Sequence, residues 1–196
     1  MIEPALALVD FSSVASGIEA ADAMVKRAPI DTIRAGTVHP GRYLVLIGGA
    51  VADVEESLAA GREIGGSTVL DHVFLPNVHP GVVEAITGGR VPDPSDAIGV
   101  VETHTAAAAI QAADAGLKSA QVRLVEVRLA DGLGGKGLVF YSGVVADVEI
   151  AVDSGVGALD RPGLLVERVV IPQLHAEMWD NVSAATPFRQ RTVGAV

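Results

Sequence analysis

The chain contains no cysteine. Disulfides, thiolate metal sites and cysteine nucleophiles are therefore excluded at the outset. Aromatic residues make up only 4% of it although 49% is hydrophobic, so the core must be assembled from Ala, Val, Leu and Ile. Such residues suit thin layers in which Ala-rich helices lie closely on Val-rich strands. Basic residues are also scarce: 14 Lys and Arg against 24 Asp and Glu leave a formal net charge of −10, with no Lys/Arg-rich run. Nucleic acid and anionic membranes need a basic face and are not expected partners. Stretches free of charged residues, such as Thr103 to Ala113, are far short of a membrane span. The amino terminus, Met-Ile-Glu-Pro, lacks the basic start and apolar run of a signal peptide, and a cytoplasmic location is expected.

Catalytic motifs are missing as well. There is no G-x-S-x-G elbow and no H-E-x-x-H, and the five histidines (His39, His72, His79, His104, His175) show no ligand spacing within one helix. Residues Gly132 to Gly137 match G-x-G-x-x-G, but a phosphate loop must lead into a helix amino terminus. Here it leads into Leu138-Val-Phe-Tyr, a strand, and the fingerprint fails in its context. The acidic pairs Asp53/Glu55 and Asp147/Glu149 open helices, where negative charge favours the dipole. His79 and His175 each follow a strand-ending proline and read as caps. No enzyme is expected.

What is present is a repeat. Gly41 to Glu55 and Gly135 to Glu149 are identical at nine of fifteen positions, so one module is written twice. In the first copy a strand at Ala5 to Phe11 precedes a helix capped by Ser12 or Ser13 and running to about Lys26. Ile18, Ala21 and Val25 share a face of that helix, the spacing of a stripe laid on a sheet. Strands near Ile30–Val38 and Arg42–Ile47 follow, then a helix at Ala50–Ile64, a strand at Val69–Leu75 closed by Pro76, and a short helix at Pro80–Ile86. The order is that of the split βαβ, ferredoxin-like module: an antiparallel sheet with helices on one face. The turn-rich segment from Gly88 to Asp96 is the linker, after which the pattern restarts at Ala97. The expected organisation is α+β: a first module at 1–88, a linker at 89–96, a second module at 97–183 and a flexible tail at 184–196. A mean hydropathy of +0.42 further suggests apolar surface buried against neighbouring subunits.

Ala-Ala-Asp-Ala-Met-Val-Lys at 20–26 and Ala-Ala-Asp-Ala-Gly-Leu-Lys at 112–118 carry a resemblance, together with two Val-Ala-Asp-Val-Glu segments and the endings Pro76-x-x-His79 and Pro172-x-x-His175. With these the chain resembles the shell proteins of bacterial microcompartments, in the tandem-domain class that forms trimers and without circular permutation. Within that class it looks most like the propanediol-utilisation type. The resemblance implies that three chains build a pseudohexameric tile that packs with other shell proteins around encapsulated enzymes. It implies a pore loop at Val38, His39, Pro40 and Gly41 in one copy and at Leu133, Gly134 and Gly135 in the other. It also implies a tile edge at Lys26 and Lys118, with Asn77 and Gln173 where single-domain members carry arginine. In the propanediol-type relatives a cysteine stands at the position of His39 and three of them hold an iron–sulfur cluster. Without cysteine no such cluster is expected, nor any other cofactor. Three copies of His39 would form a polar ring for small metabolites, or alternatively a site for a zinc or copper ion. The competing class is a ferredoxin-like regulator that binds a small molecule between its paired modules.

Overall fold

A computed structural model describes residues 5–87 and 96–183. Residues 88–95, which hold nearly all of the expected linker, and the tail at 184–196 lie outside the described residues. In the first module β1 (Ala5–Phe11), α1 (Val14–Arg27), β2 (Thr32–Val38), β3 (Arg42–Gly49), α2 (Val51–Gly65), β4 (Val69–Leu75) and α3 (Pro80–Ile86) follow one another. In the second module they are answered by β5 (Ala97–Thr103), α4 (Ala106–Ser119), β6 (Arg123–Leu129), β7 (Gly137–Gly143), α5 (Val145–Gly157), β8 (Leu165–Pro172) and α6 (Ala176–Ser183). The sheets have strand orders β2-β3-β1-β4 and β6-β7-β5-β8, antiparallel throughout. This is the ferredoxin-like arrangement, twice and unpermuted.

Local chemistry sets the element ends. Ser13 caps α1 by accepting the Ser16 N–H, and Thr105 caps α4 by accepting that of Ala108. His79 Nδ1 accepts from the Gly81 N–H at 3.1 Å, and His175 Nδ1 from that of Glu177 at 3.3 Å. Both histidines are therefore helix caps, as their position after a strand-ending proline suggests. The glycine-rich segment at 132–137 is part of the hairpin leading into β7.

β1 is buried along its whole length because both faces of its sheet are covered. Ala5, Ala7, Val9 and Phe11 lie under α1 and α2 with Met24, Val54 and Leu58. Leu6 and Leu8 face the other way and join Val73, Val82 and the second module's α4 in a continuous core. A strand buried on both faces reads as an apolar run, which is what Ala5 to Val9 is, with one buried carboxylate, Asp10, before Phe11.

The stripe on α1 departs from expectation. Gly17, Ala20, Ala21 and Met24 are the buried face, whereas Ile18 is 53% and Val25 42% exposed. Helical spacing shows which residues share a face, not which surface covers it. Their counterparts on α4, Ile110 and Leu117, pack into the shared core.

The two helices of each module approach closely. A Cβ at Gly155 would sit 2.8 Å from the Tyr141 hydroxyl and 3.0 Å from the Ala112 carbonyl, the pair already joined by a 2.6 Å hydrogen bond. Gly155→Val should therefore lower unfolding stability by about 1–3 kcal/mol through overpacking, read as a reduced urea midpoint at unchanged slope.

Candidate functional site: the module seam and the paired hairpin loops

The two modules are joined by a seam with a direction. Its first side is the β4–α3 end of module one, and its second is α4 and β6 of module two. The Thr105 hydroxyl donates to Asp71 Oδ2 at 2.5 Å, and Arg161 Nη2 donates to Asp71 Oδ1 at 3.2 Å. Farther along, the His79 N–H donates to Asp114 Oδ1 at 2.8 Å. Lys118 Nζ donates to Asp114 Oδ2 and to the Asn77 carbonyl. Thus Lys118 and Asn77, two of the expected edge residues, are brought together. Lys26 and Gln173 occupy the same positions in the other copy, but both are exposed on surfaces the chain leaves uncovered. Lys26 pairs only with Asp22, one turn away.

The same comparison holds for the apolar contacts. Val82 of α3 is fully buried, while its counterpart on α6, Met178, is 51% exposed. Leu124 and Val127 of β6 are buried, while Ile33 and Ala35 of β2 are exposed. Module one thus keeps an uncovered α1–β2 side and module two an uncovered β8–α6 side. Each has the residue pattern of a surface that is covered inside the chain.

The hairpin loops meet at the opposite end of the sheets. His39, Pro40 and Gly41 are exposed, with a cis His39–Pro40 bond and Gly41 at φ +88°. In the second loop Leu133 is half-buried, Gly134 exposed and Gly135 buried, the two glycines at φ +63° and +88°. These values favour glycine at all three positions. The loops are bridged by Arg42, whose Nη1 donates to the Gly135 carbonyl at 3.3 Å and to Asp10 Oδ2 at 3.1 Å. A side chain at Gly135 would meet the Arg42 guanidinium at 2.6 Å. In the second copy the same positions carry Lys136 and Glu102, paired at 2.7 Å. Among the described residues no group of three His, Cys, Asp or Glu stands together within the chain.

Asp10, Arg42, Asp71, Thr105 and Arg161 were not expected from the sequence. The signal was the charge pair recurring in both copies, Asp10 with Arg42 and Glu102 with Lys136, with each carboxylate inside an otherwise largely apolar strand and each cation at the start of the hairpin's second strand. Asp10 is fully buried and its Oδ1 has no partner. Burial pushes its carboxyl up to about 6, against the pull of Arg42 and with a smaller push from Asp71, its neighbour across β1 and β4. The folded value lies above the unfolded 3.8, so folding favours the protonated form. That contribution is fully present below pH 3.8 and is lost as the pH rises through about 6. Asp10→Asn, which cannot ionise, should therefore melt above the parent at pH 8, by at most on the order of 3 kcal/mol. The gap should shrink as the pH falls below 6, and a melting series from pH 4 to 8 checks it.

The comparisons with known proteins agree with this architecture. The family model of the BMC domain matches the chain twice, over residues 5–78 and 97–174. The bacterial microcompartment shell protein PduT of Citrobacter freundii is 40% identical over 175 residues, which is 89% of this chain and 95% of that protein. The shell protein EutM of Escherichia coli is 39% identical over 83 residues, 42% of this chain and 84% of its own, so it matches one module. Among solved structures, a microcompartment protein from Desulfitobacterium hafniense has a TM-score of 0.79 at 45% identity, covering 89% of this chain and 97% of that one. With both sheets lying inside matched segments and so similar a relative spanned almost end to end, the chain belongs to the BMC-domain family of bacterial microcompartment shell proteins.

Proposed function

We propose that this protein is a structural tile of a microcompartment shell, in which three chains close head to tail into a ring of six modules. The tile packs with other shell proteins around encapsulated enzymes, in the cytoplasm, and carries out no chemistry of its own. Its hairpin loops line a central pore for small polar metabolites. No observation favours the alternative of a ligand-sensing regulator.

One observation carries the ring: the two uncovered sides of the chain repeat most of the hydrogen-bonding and apolar residues that make the two sides of its internal seam. Ser13 stands for Thr105, Glu167 for Asp71, Asp22 for Asp114, Lys26 for Lys118 and His175 for His79. Each substitution keeps the donor or acceptor that the seam uses. Ile18 and Val25 stand for Ile110 and Leu117, and Met178 for Val82. A contact between two unlike surfaces propagates head to tail, and it ends in a ring when the rotation closes. In that ring Asp22 accepts from His175 of the next chain and Lys26 reaches its Gln173 carbonyl. Lys26, Lys118, Asn77 and Gln173 then fall at the end of each seam away from the loops, where a tile edge belongs. Val38, His39, Pro40, Gly41, Leu133, Gly134 and Gly135 converge at the other end.

Ile18→Asp tests the ring. Ile18 is 53% exposed within one chain, so the monomer should fold as before, with unchanged circular dichroism. The trimer, measured by light scattering, should give way to monomer, since a charge would be buried against β8 without a partner. A trimer that survives the substitution at micromolar protein overturns the head-to-tail assignment. We further expect the ring of three His39 side chains to stay open to solutes. Elemental analysis of untagged protein should find no stoichiometric zinc or copper, and one ion per three chains would instead assign that ring as a metal site.

A further inference from the structure

A cleft of about 590 Å³ opens at the seam, where the last turn of α2 and strand β4 meet the loop before β8. That volume lies within the range of small-molecule sites, roughly 300–1,000 Å³. Arg62 and Glu63 reach it from α2, Asp71 and His72 from β4, and Asp160 and Arg161 from the second module. Two modules therefore build it, and a single chain completes it. Strand register sets Val69, at the start of β4, opposite Phe11, which is itself opposite Tyr43 at the start of β3. The cleft thus lies toward the hairpin-loop end of the sheet, away from Asn77 and Lys118.

The charges in the cleft are not equally available. Asp71 is occupied by Thr105 and Arg161, and Asp160 accepts from Gln111 Nε2 at 3.0 Å. Arg161 commits only Nη2 to Asp71, and its side chain is 63% exposed. Arg62 is exposed on α2. Burial, and after it the charge of Arg62, holds the His72 imidazole below its ordinary pKa. At neutral pH it is an uncharged group that can give or take a hydrogen bond. Two guanidinium groups from opposite modules thus face a common space beside a neutral imidazole, the donor geometry that suits a planar or tetrahedral oxyanion. Glu63 and Asp160 at the same cleft disfavour heavily charged anions and can accept from hydroxyl groups.

The second copy shows that this is not a by-product of the fold. At the equivalent positions Arg62 is replaced by Val156 and His72 by Arg168, and Gly65 stands where Arg161 is. The stretch from helix start to strand start that carries Asp160 and Arg161 is two residues longer than its counterpart, because the offset between copies grows from 94 at the helix start to 96 at the strand start. Thr105, Asp71, Asp114, Lys118 and His79 of the seam keep their chemistry in the other copy as Ser13, Glu167, Asp22, Lys26 and His175, whereas Arg62, His72 and Arg161 of the cleft do not.

We propose that this cleft is a binding site for a small hydroxylated oxyanion, a carboxylate or a phosphate monoester, with its acid group held between Arg62 and Arg161. The site is complete within one chain, so the proposal stands whether or not the ring closes. Lactate and glycerol 3-phosphate are suitable probes. Each is titrated into the full-length protein at low ionic strength and followed by ligand-observed NMR. Saturable binding of one or both at one site per chain is expected, and the probe that binds identifies the acid group. Arg62→Ala should weaken it about tenfold or more. Arg27→Ala, another exposed arginine at a helix end, should leave it unchanged. Arg62 takes no part in the seam contacts, so its variant should keep the parent's circular dichroism and melting temperature. No saturable binding of either probe, or equal binding by parent and Arg62→Ala, overturns the proposal.

Discussion

The structure depends on one contact between unlike surfaces, in which the β4–α3 end of one module receives the α4–β6 side of the next. α4 is pressed between its own sheet and that of the first module, and it is alanine on nearly every buried side, from Ala106 to Ala109 and at Ala112 and Ala113. Larger side chains would hold the two sheets apart. Carboxylates fix the register of this contact. Asp71 and Asp114 are buried, and each is met by donors from the opposite module. A shift along the seam would leave either one buried without its partner, at a cost of several kcal/mol. Apolar area drives the contact, and the carboxylates admit only one alignment. The contact uses different surfaces on its two sides, so a chain of two modules cannot satisfy both of its own ends. The high apolar content at so low an aromatic content follows from this: the chain carries two seams' worth of apolar surface and internally covers one.

Much of the fold was legible because the sequence states it twice. Pro76 and Pro172, the Ser13 and Thr105 caps and the Val-Ala-Asp-Val-Glu helix starts each marked a boundary, and observed elements begin within a few residues of them. What could not be read were facts that need a partner. Ile18 and Val25 have the spacing of a buried stripe, and their α4 counterparts Ile110 and Leu117, buried and half-buried, pack into the core shared with the other module. Asp10 and Arg42 are separated by 32 residues, and only the pairing of β1 with β3 makes them neighbours. Helix α6 was overlooked because it begins at Ala176, without the proline that announces α3 at Pro80. Its Trp179 nonetheless closes a satellite core with Ile98, Val125 and Phe140.

The hairpin loops show the same division between what local sequence states and what register supplies. Their glycines are legible, since Gly41, Gly134 and Gly135 all occupy the left-handed region. Their connection is not. Arg42 belongs to the first hairpin but bonds the carbonyl of Gly135 in the second, so the two loops form one unit anchored on a buried carboxylate. In the other copy Lys136 meets Glu102 with a single ammonium group. Both Arg42 bonds leave from Nη1, whose two N–H groups lie in the fixed plane of the guanidinium, whereas a lysine ammonium is a rotatable point charge. The first hairpin is therefore braced to the second within the chain by an arginine.

This asymmetry indicates what duplication makes possible. In a ring of identical single modules, any residue placed on a seam or a loop appears at every seam and every loop. Joining two modules frees alternate positions to change, provided the contact residues stay. The chain follows that rule closely. Ser and Thr, Asp and Glu, Ile and Leu replace one another along the seam surfaces, while the loops became His-Pro-Gly and Leu-Gly-Gly. Beside β4, the cleft acquired Arg62 and Arg161 where the other copy has Val156 and Gly65. Charges that would repel one another if repeated at every seam can be tolerated at alternate ones, separated by an uncharged junction. The hydrogen-bonding positions of the seam are therefore substituted conservatively, whereas the loops and the cleft are not, and the buried core repacks in compensating pairs such as Met24 and Ile47 against Gly116 and Tyr141.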